Sequence, residues 1–277
     1  MMTSGTPGDD MPGESTRAPL TYSTYLRMDE LLALQTPLSD GPEHDETLFI
    51  IIHQVYELWF KQILHEVDRL DGALDADDLP VTLAALKRVL TILKTLVGQV
   101  DILETMSPLS FNSFRTRLDS SSGFQSVQFR TLEFRLGSRN RSRLGVHPEG
   151  SAVRGSLEAL LATSSTYDRF LCFMDRAGFS MPPEHATRER SGGNFVHEGA
   201  RRQLVTVYRT RPDLAQACER LVDLDEGIQE WRYRHVKMVE RTIGMKSGTG
   251  GSSGAEYLRA TLFRPLFPDL WAIRNEF

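Results

Sequence analysis

From Tyr22 onward, apolar residues recur at the three- and four-residue intervals of a helical face, and strand-like alternation is scarce. The pattern predicts helices over 22–34, 45–74, 80–106, 123–136, 151–176, 198–208 and 212–246. Gly, Pro and Arg interrupt it at 36–43, 137–150 and 178–193, the last holding Pro182-Pro183 and Gly192-Gly193. With no internal repeat and no convincing linker, the chain reads as one all-α domain over 20–277. Residues 1–19 are rich in Gly, Pro, Ser, Thr and Asp, and are expected to be a disordered tail. They lack the basic and apolar regions of a signal peptide.

Two of the helical stripes carry a histidine. Within 48–66 the apolar face is Phe49, Ile52, His53, Tyr56, Phe60, Ile63 and Leu64, with His53 near its middle. Within 212–246, Leu224, Ile228, Trp231, His235, Met238, Val239 and Thr242 share one face, and Glu226, Glu230, Arg234, Lys237 and Arg241 fall largely opposite. A buried neutral imidazole needs partners for its nitrogens, either a neighbouring hydrogen-bonding group or a metal, and a lone core histidine usually takes the first. Two such histidines on separate helices could instead face one cavity from opposite sides. That arrangement suits a flat macrocycle with an axial ligand and a distal polar group, a haem pocket.

Other metal chemistry fares worse. His65-Glu66 and His197-Glu198 lack the second histidine of a His-Glu-x-x-His zinc site. Cys172 and Cys218 form no Cys-x-x-Cys or Cys-x-x-Cys-His motif, so any haem would be non-covalent, of the b type. After His235 the chain enters a loop with Gly248, Thr249, Gly250, Gly251, Ser252, Ser253 and Gly254. Its glycines would let the main chain approach a ligand, as in a mobile lid, and a plain flexible linker has the same composition. Gly244-Met-Lys-Ser lacks the order of a phosphate-binding loop.

The formal net charge of -5 gives no electrostatic reason to expect nucleic acid or an anionic membrane, which leaves small molecules as partners. Two distant cysteines fit a reducing cytoplasm. Arg115 follows Phe111 by one helical turn, and a guanidinium held among aromatics is a fork suited to a carboxylate; a surface arginine covering apolar area with its stem is the other reading. Ser122 with Gln125 fits a capping box.

Phe-Ile-Ile-Ile-His-Gln-Val-Tyr-Glu-Leu-Trp at 49–59, Ser-Gly-Phe-Gln-Ser at 122–126, Trp-Arg-Tyr-Arg-His at 231–235 and Gly-Thr-Gly-Gly-Ser-Ser-Gly at 248–254 together resemble the tryptophan 2,3-dioxygenase family over about 20–277. The resemblance implies a single helical-bundle haem domain of the tryptophan/indoleamine 2,3-dioxygenase type, assembled as a homotetramer in the cytoplasm. It implies a haem b, ferrous when active, that works with O2 to convert L-tryptophan to N-formyl-L-kynurenine, the first step of the kynurenine pathway.

Residue by residue, His235 matches the axial ligand of the haem iron and His53 the distal histidine that orients the indole N–H. Phe49, Ile50, Ile51, Ile52 and His53 match the substrate-contact stretch, with Phe49 against the indole. Phe111 matches a pocket aromatic, Arg115 the partner of the substrate carboxylate, Thr249 the loop contact to the amino-acid end, and Ser122 a pocket serine near the haem edge. Tyr22 and Tyr25 match tyrosines that reach into a neighbouring subunit's pocket. Phe111 stands where some bacterial members carry tyrosine, and Ile52 where Gln or Thr often precedes the distal histidine. The rival function is a haem protein that senses gas or carries haem without oxidising a substrate; a sensor has no need of a carboxylate clamp.

Overall fold

The computed structural model describes residues 19–41, 43–184, 192–248 and 255–277, and every regular element among them is helical. The chain divides into two units, Met1–Thr36 and Pro37–Phe277. In the first, α1 (Tyr22–Leu26) and α2 (Met28–Leu32) replace the single helix expected over 22–34. They meet at Arg27, whose left-handed φ of 52° breaks the helical path. Neither short helix buries a residue, and Tyr22 and Tyr25 are 75% and 72% exposed.

The second unit contains α3 (His44–Asp75), α4 (Leu79–Leu103), α5 (Pro108–Arg115), α6 (Val127–Leu136), α7 (Ala152–Ala162), α8 (Thr166–Arg176), α9 (Glu198–Thr210), α10 (Pro212–Ile243), α11 (Ala255–Arg259) and α12 (Pro268–Ala272) among its described residues. The helix expected over 151–176 is two. Thr163-Ser-Ser165 ends the first, and Ser165 and Asp168 form a reciprocal cap that starts the second, with Ser165 N–H donating to Asp168 at 2.7 Å and Asp168 N–H to Ser165 Oγ at 3.1 Å. The expected 123–136 helix begins as a 3-10 turn at Gly123–Gln125 before α6 starts at Val127.

α4 is the frame of this unit, packing along both α3 and α10. Asp78 accepts the Val81 N–H at its start and Pro80 occupies the first turn, where no backbone donor is missed. Its buried face runs Ala85, Leu86, Val89, Leu93 and Leu96, and meets Phe60, Ile63, Val67, Leu70 and Leu74 of α3 and Leu214, Leu221, Leu224 and Ile228 of α10. Each such side chain contributes roughly 1.5–3 kcal/mol by leaving water, so these helices hold their spacing firmly. Polar ties fix the register: Tyr56 of α3 donates to the Leu96 carbonyl at 2.9 Å, and Arg234 of α10 reaches Asp101 at 2.5 Å and Glu104 at 3.4 Å.

α10 is also anchored from the C-terminal side. Asp225 is fully buried and accepts the backbone N–H groups of Leu266 and Phe267 at 2.7 and 3.1 Å and the Trp271 indole N–H at 2.9 Å. No described helix is long and apolar enough to cross a membrane.

Candidate active site

A cavity opens where α3 and α10 face one another past the end of α4. Phe49, His53, Tyr56 and Phe60 of α3 border it on one side, and Trp231, His235, Met238, Val239 and Thr242 of α10 on the other. Phe111 and Arg115 of α5 and Ser122 of the turn before α6 complete this part of the wall. Helical spacing explains the selection, because residues one turn apart share a face.

His53 is held by its own helix. Its Nδ1 stands 2.7 Å from the Phe49 carbonyl oxygen, and the two rings lie 4.2 Å apart. A carbonyl only accepts, so Nδ1 carries the proton and, in the neutral ring, Nε2 is left as an acceptor. The ring keeps accessible surface because it borders the cavity, yet protein surrounds it, and that burial holds its pKa below the ordinary value against the opposing Phe49 carbonyl and Glu57 carboxylate.

His235 is more isolated. Burial first, then the nearby His53, pushes its pKa down to about 4, so the ring is neutral at ordinary pH. It stacks on Trp231 with the planes 3° apart, and among the described residues neither ring nitrogen has a hydrogen-bond partner. A neutral imidazole with uncommitted nitrogen on a cavity wall is a metal ligand in waiting.

Aromatic rings give the cavity flat, apolar sides. Phe49, Phe111 and Phe114 cluster with centroids 5.5–5.7 Å apart, while Trp231 packs against Phe129 at 4.8 Å and edge-on to Phe60 and Tyr56. Arg115, in the last turn of α5, donates from Nη2 to the Ser247 carbonyl at 2.5 Å. Ser122 does form the capping box with Gln125, accepting the Phe124 N–H at 3.4 Å, and also borders the cavity.

The structure thus gathers Phe49, His53, Phe111, Arg115, Ser122 and His235 around one space. Ile50, Ile51 and Ile52, expected there as well, do not join them, and the 100° step of the helix is the reason. Ile52 is buried against Leu103, Met106 and Phe114, Ile51 is 41% exposed, and Ile50 is half-buried away from the cavity wall. Thr249 lies outside the described residues, with Gly248 the last described residue before it. Tyr22 and Tyr25 belong to the N-terminal unit.

Sequence reasoning missed a charged group in the same wall. Arg130, Glu133, Arg143 and Arg232 are all buried and all border the cavity. Glu133 Oε1 accepts from Arg232 at 2.7 Å and forms an ion pair with Arg143 at 2.9 Å, and its Oε2 pairs with Arg130. The signal was present for Arg232, which sits at four-residue spacing between Ile228 and Val236 and so interrupts an apolar stripe with a charge.

Comparison with known proteins agrees with the motifs. A family model described as tryptophan 2,3-dioxygenase matches residues 9–160 and 184–276. The tryptophan 2,3-dioxygenase of Herpetosiphon aurantiacus is 56% identical over 257 residues, covering 93% of this chain and 98% of the relative. That of Anaeromyxobacter sp. (strain K) is 54% identical over 258 residues, covering 93% and 96%, and that of Polaromonas naphthalenivorans 40% over 260 residues, covering 93% and 92%.

Proposed function

The chain belongs to the tryptophan 2,3-dioxygenase family, and from that premise we propose that the cavity between α3 and α10 is its active site. The enzyme adds both atoms of O2 across the indole C2=C3 bond of L-tryptophan to give N-formyl-L-kynurenine, opening the kynurenine route of tryptophan breakdown. The observation that carries the assignment is a pair of neutral imidazoles, from helices that α4 holds apart, bordering one apolar space.

The residues present fit a haem b. His235 offers a ring nitrogen with no partner among the described residues, and Arg143 and Arg232 offer N–H donors and positive charge for the carboxylates at a porphyrin edge. When bound, its ferrous iron supplies the O2 activation that no side chain here can perform.

The remaining residues bind and orient. Arg115 takes the substrate carboxylate through a guanidinium whose Nη2 is now on the Ser247 carbonyl. Thr249, two residues beyond that carbonyl, contacts the amino-acid end. Phe49 and Phe111 lie against the indole, and His53 Nε2 accepts its N–H, which fixes the ring without requiring a proton to move. Ser122 already accepts through Oγ, so its own hydroxyl hydrogen is available to a ligand at that edge. On α3, Phe49 and His53 make these contacts and Ile50, Ile51 and Ile52 support the helix.

The working enzyme is a cytoplasmic homotetramer in which Tyr22 and Tyr25 of one chain complete a neighbour's pocket. Their exposure, on helices that bury nothing of their own, supports that reading. The test is to load the full chain with haem, reduce it without air, add O2 and L-tryptophan, and follow formylkynurenine by absorbance and mass. Native protein should turn over while His235→Ala should neither retain haem nor form product; a fully active, haem-loaded His235→Ala variant would remove His235 from the metal.

A further inference from the structure

Glu133 stands in the last turn of α6 and joins three parts of the chain: Arg130 one turn earlier on α6, Arg143 in the 3-10 turn after it, and Arg232 on α10. All four side chains are more than nine-tenths buried. Burying so many charges in a wall that apolar residues could fill is not a stabilising choice, since desolvation offsets most of the attraction. The cluster therefore needs a use beyond holding α6 to α10.

Its geometry points to one. Arg143 and Arg232 both approach the same oxygen, Oε1, at 2.9 and 2.7 Å. One carboxylate oxygen shared by two guanidiniums leaves positive charge over, whatever Arg130 does at Oε2. Each guanidinium has five N–H donors. Glu133 takes Nη2 of Arg232 in a hydrogen bond and stands in an ion pair with Nη1 of Arg143, which donates to Ser138 Oγ at 3.4 Å, and both arginine side chains border the cavity. Arg232 also lies three residues before His235, so it and the imidazole share one helical face and move as one body.

We propose that Glu133 is a positioning residue: it sets where Arg143 and Arg232 present their donors, and through Arg232 it fixes the distance between the acidic edge of the bound macrocycle and the His235 nitrogen. This rests on the reading that a carboxylate-bearing iron porphyrin occupies the cavity. Glu133 touches neither substrate nor iron in this role. Its effect is to make the site prefer a porphyrin with free carboxylates over the same porphyrin without them.

The test compares two probes on the full-length, haem-free protein: iron(III) protoporphyrin IX and its dimethyl ester, which keeps the ring and metal and removes both acids. Dissociation constants come from the change in visible absorbance, with helicity and melting temperature as fold controls. The native protein should prefer the free acid by about tenfold or more, the worth of one charge-assisted hydrogen bond. In Glu133→Gln that preference should collapse, and in Glu133→Asp it should partly return.

A Glu133 that merely screened charge would give the opposite sign, because Glu133→Gln raises the net positive charge and would strengthen the preference. A Glu133 that only stabilised the fold would weaken both probes equally and leave the preference unchanged. Either result overturns the proposal. Should Glu133→Gln fail to fold, Arg232→Lys keeps the charge and loses the planar fork, and should likewise lose the preference; retention overturns it. Native protein that binds neither probe overturns the cavity assignment itself, while equal binding of both leaves that assignment standing and overturns only the role of Glu133.

Discussion

The α3 wall and the α10 wall of the cavity each present a histidine on an apolar stripe, and they differ in what the ring nitrogens already hold. His53 spends Nδ1 on the Phe49 carbonyl one turn back, which fixes its tautomer and leaves one acceptor. His235 leans on Trp231 by its face alone, with both nitrogens uncommitted among the described residues. The same residue type thus serves different chemistry: a ring tied to its own backbone suits an N–H donor of defined direction, and a ring held only by stacking suits a metal. The neighbourhoods match this division, with the phenylalanine cluster and Arg115 on the first side and the Glu133 arginines beside the second.

Exchanging the two histidines for alanine tests the contrast most severely. His235→Ala should abolish stable haem incorporation, read as loss of the Soret band after gel filtration. His53→Ala should keep that band. Equal haem loss in both variants would erase the distinction. Next in size, Arg115→Ala should weaken L-tryptophan binding by about 2–5 kcal/mol while haem is retained, since it removes one half of a desolvated charge pair. Equilibrium titration of the haem-loaded variant measures it, and native affinity would take Arg115 out of the substrate side.

A smaller effect isolates the His53 acceptor. His53→Ala should cost about 1 kcal/mol of L-tryptophan affinity, the worth of one neutral hydrogen bond. 1-Methyl-L-tryptophan, which has no indole N–H to give, should lose less than L-tryptophan does between native protein and His53→Ala. Equal losses would mean that His53 acts by packing.

The smallest effect is in pH. Burial keeps the His53 pKa below its ordinary value, so the ring stays an acceptor at neutral pH and becomes a donor only in acid solution. Tryptophan affinity should be level around neutral pH and decline on acidification; a decline centred above neutrality would contradict a depressed His53.

Much of this was legible in the chain. Periodicity located the long helices α3, α4 and α10 to within a few residues, because each sustains one apolar face over many turns. It ran through the break at Thr163-Ser-Ser165, where the apolar phase of α7 and α8 happens to continue and only the Ser165 and Asp168 cap marks a new start. Phe49, His53 and His235 were legible for the same reason as the helices. Ile50 to Ile52 belong to the stretch that matches the family's substrate contacts, but a helix turns neighbours in one stretch toward different sides. The Glu133 cluster was hidden because its members come from three elements, and an arginine in the run Arg139-Asn-Arg141-Ser-Arg143 looks like any solvated charge until the fold buries it.

The buried Asp225 has a consequence for how the pocket is held. Besides Gln229 on its own helix, it accepts from Leu266, Phe267 and Trp271, which are 41, 42 and 46 residues downstream. Until that downstream segment docks, the long helix bearing His235 keeps in its packing face a carboxylate that Gln229 alone partners, and such a group is costly to bury. The histidine-bearing helix is thereby tied to a segment far from it in sequence, so a change at Trp271, which lies outside the cavity wall, should be felt at the pocket it never borders.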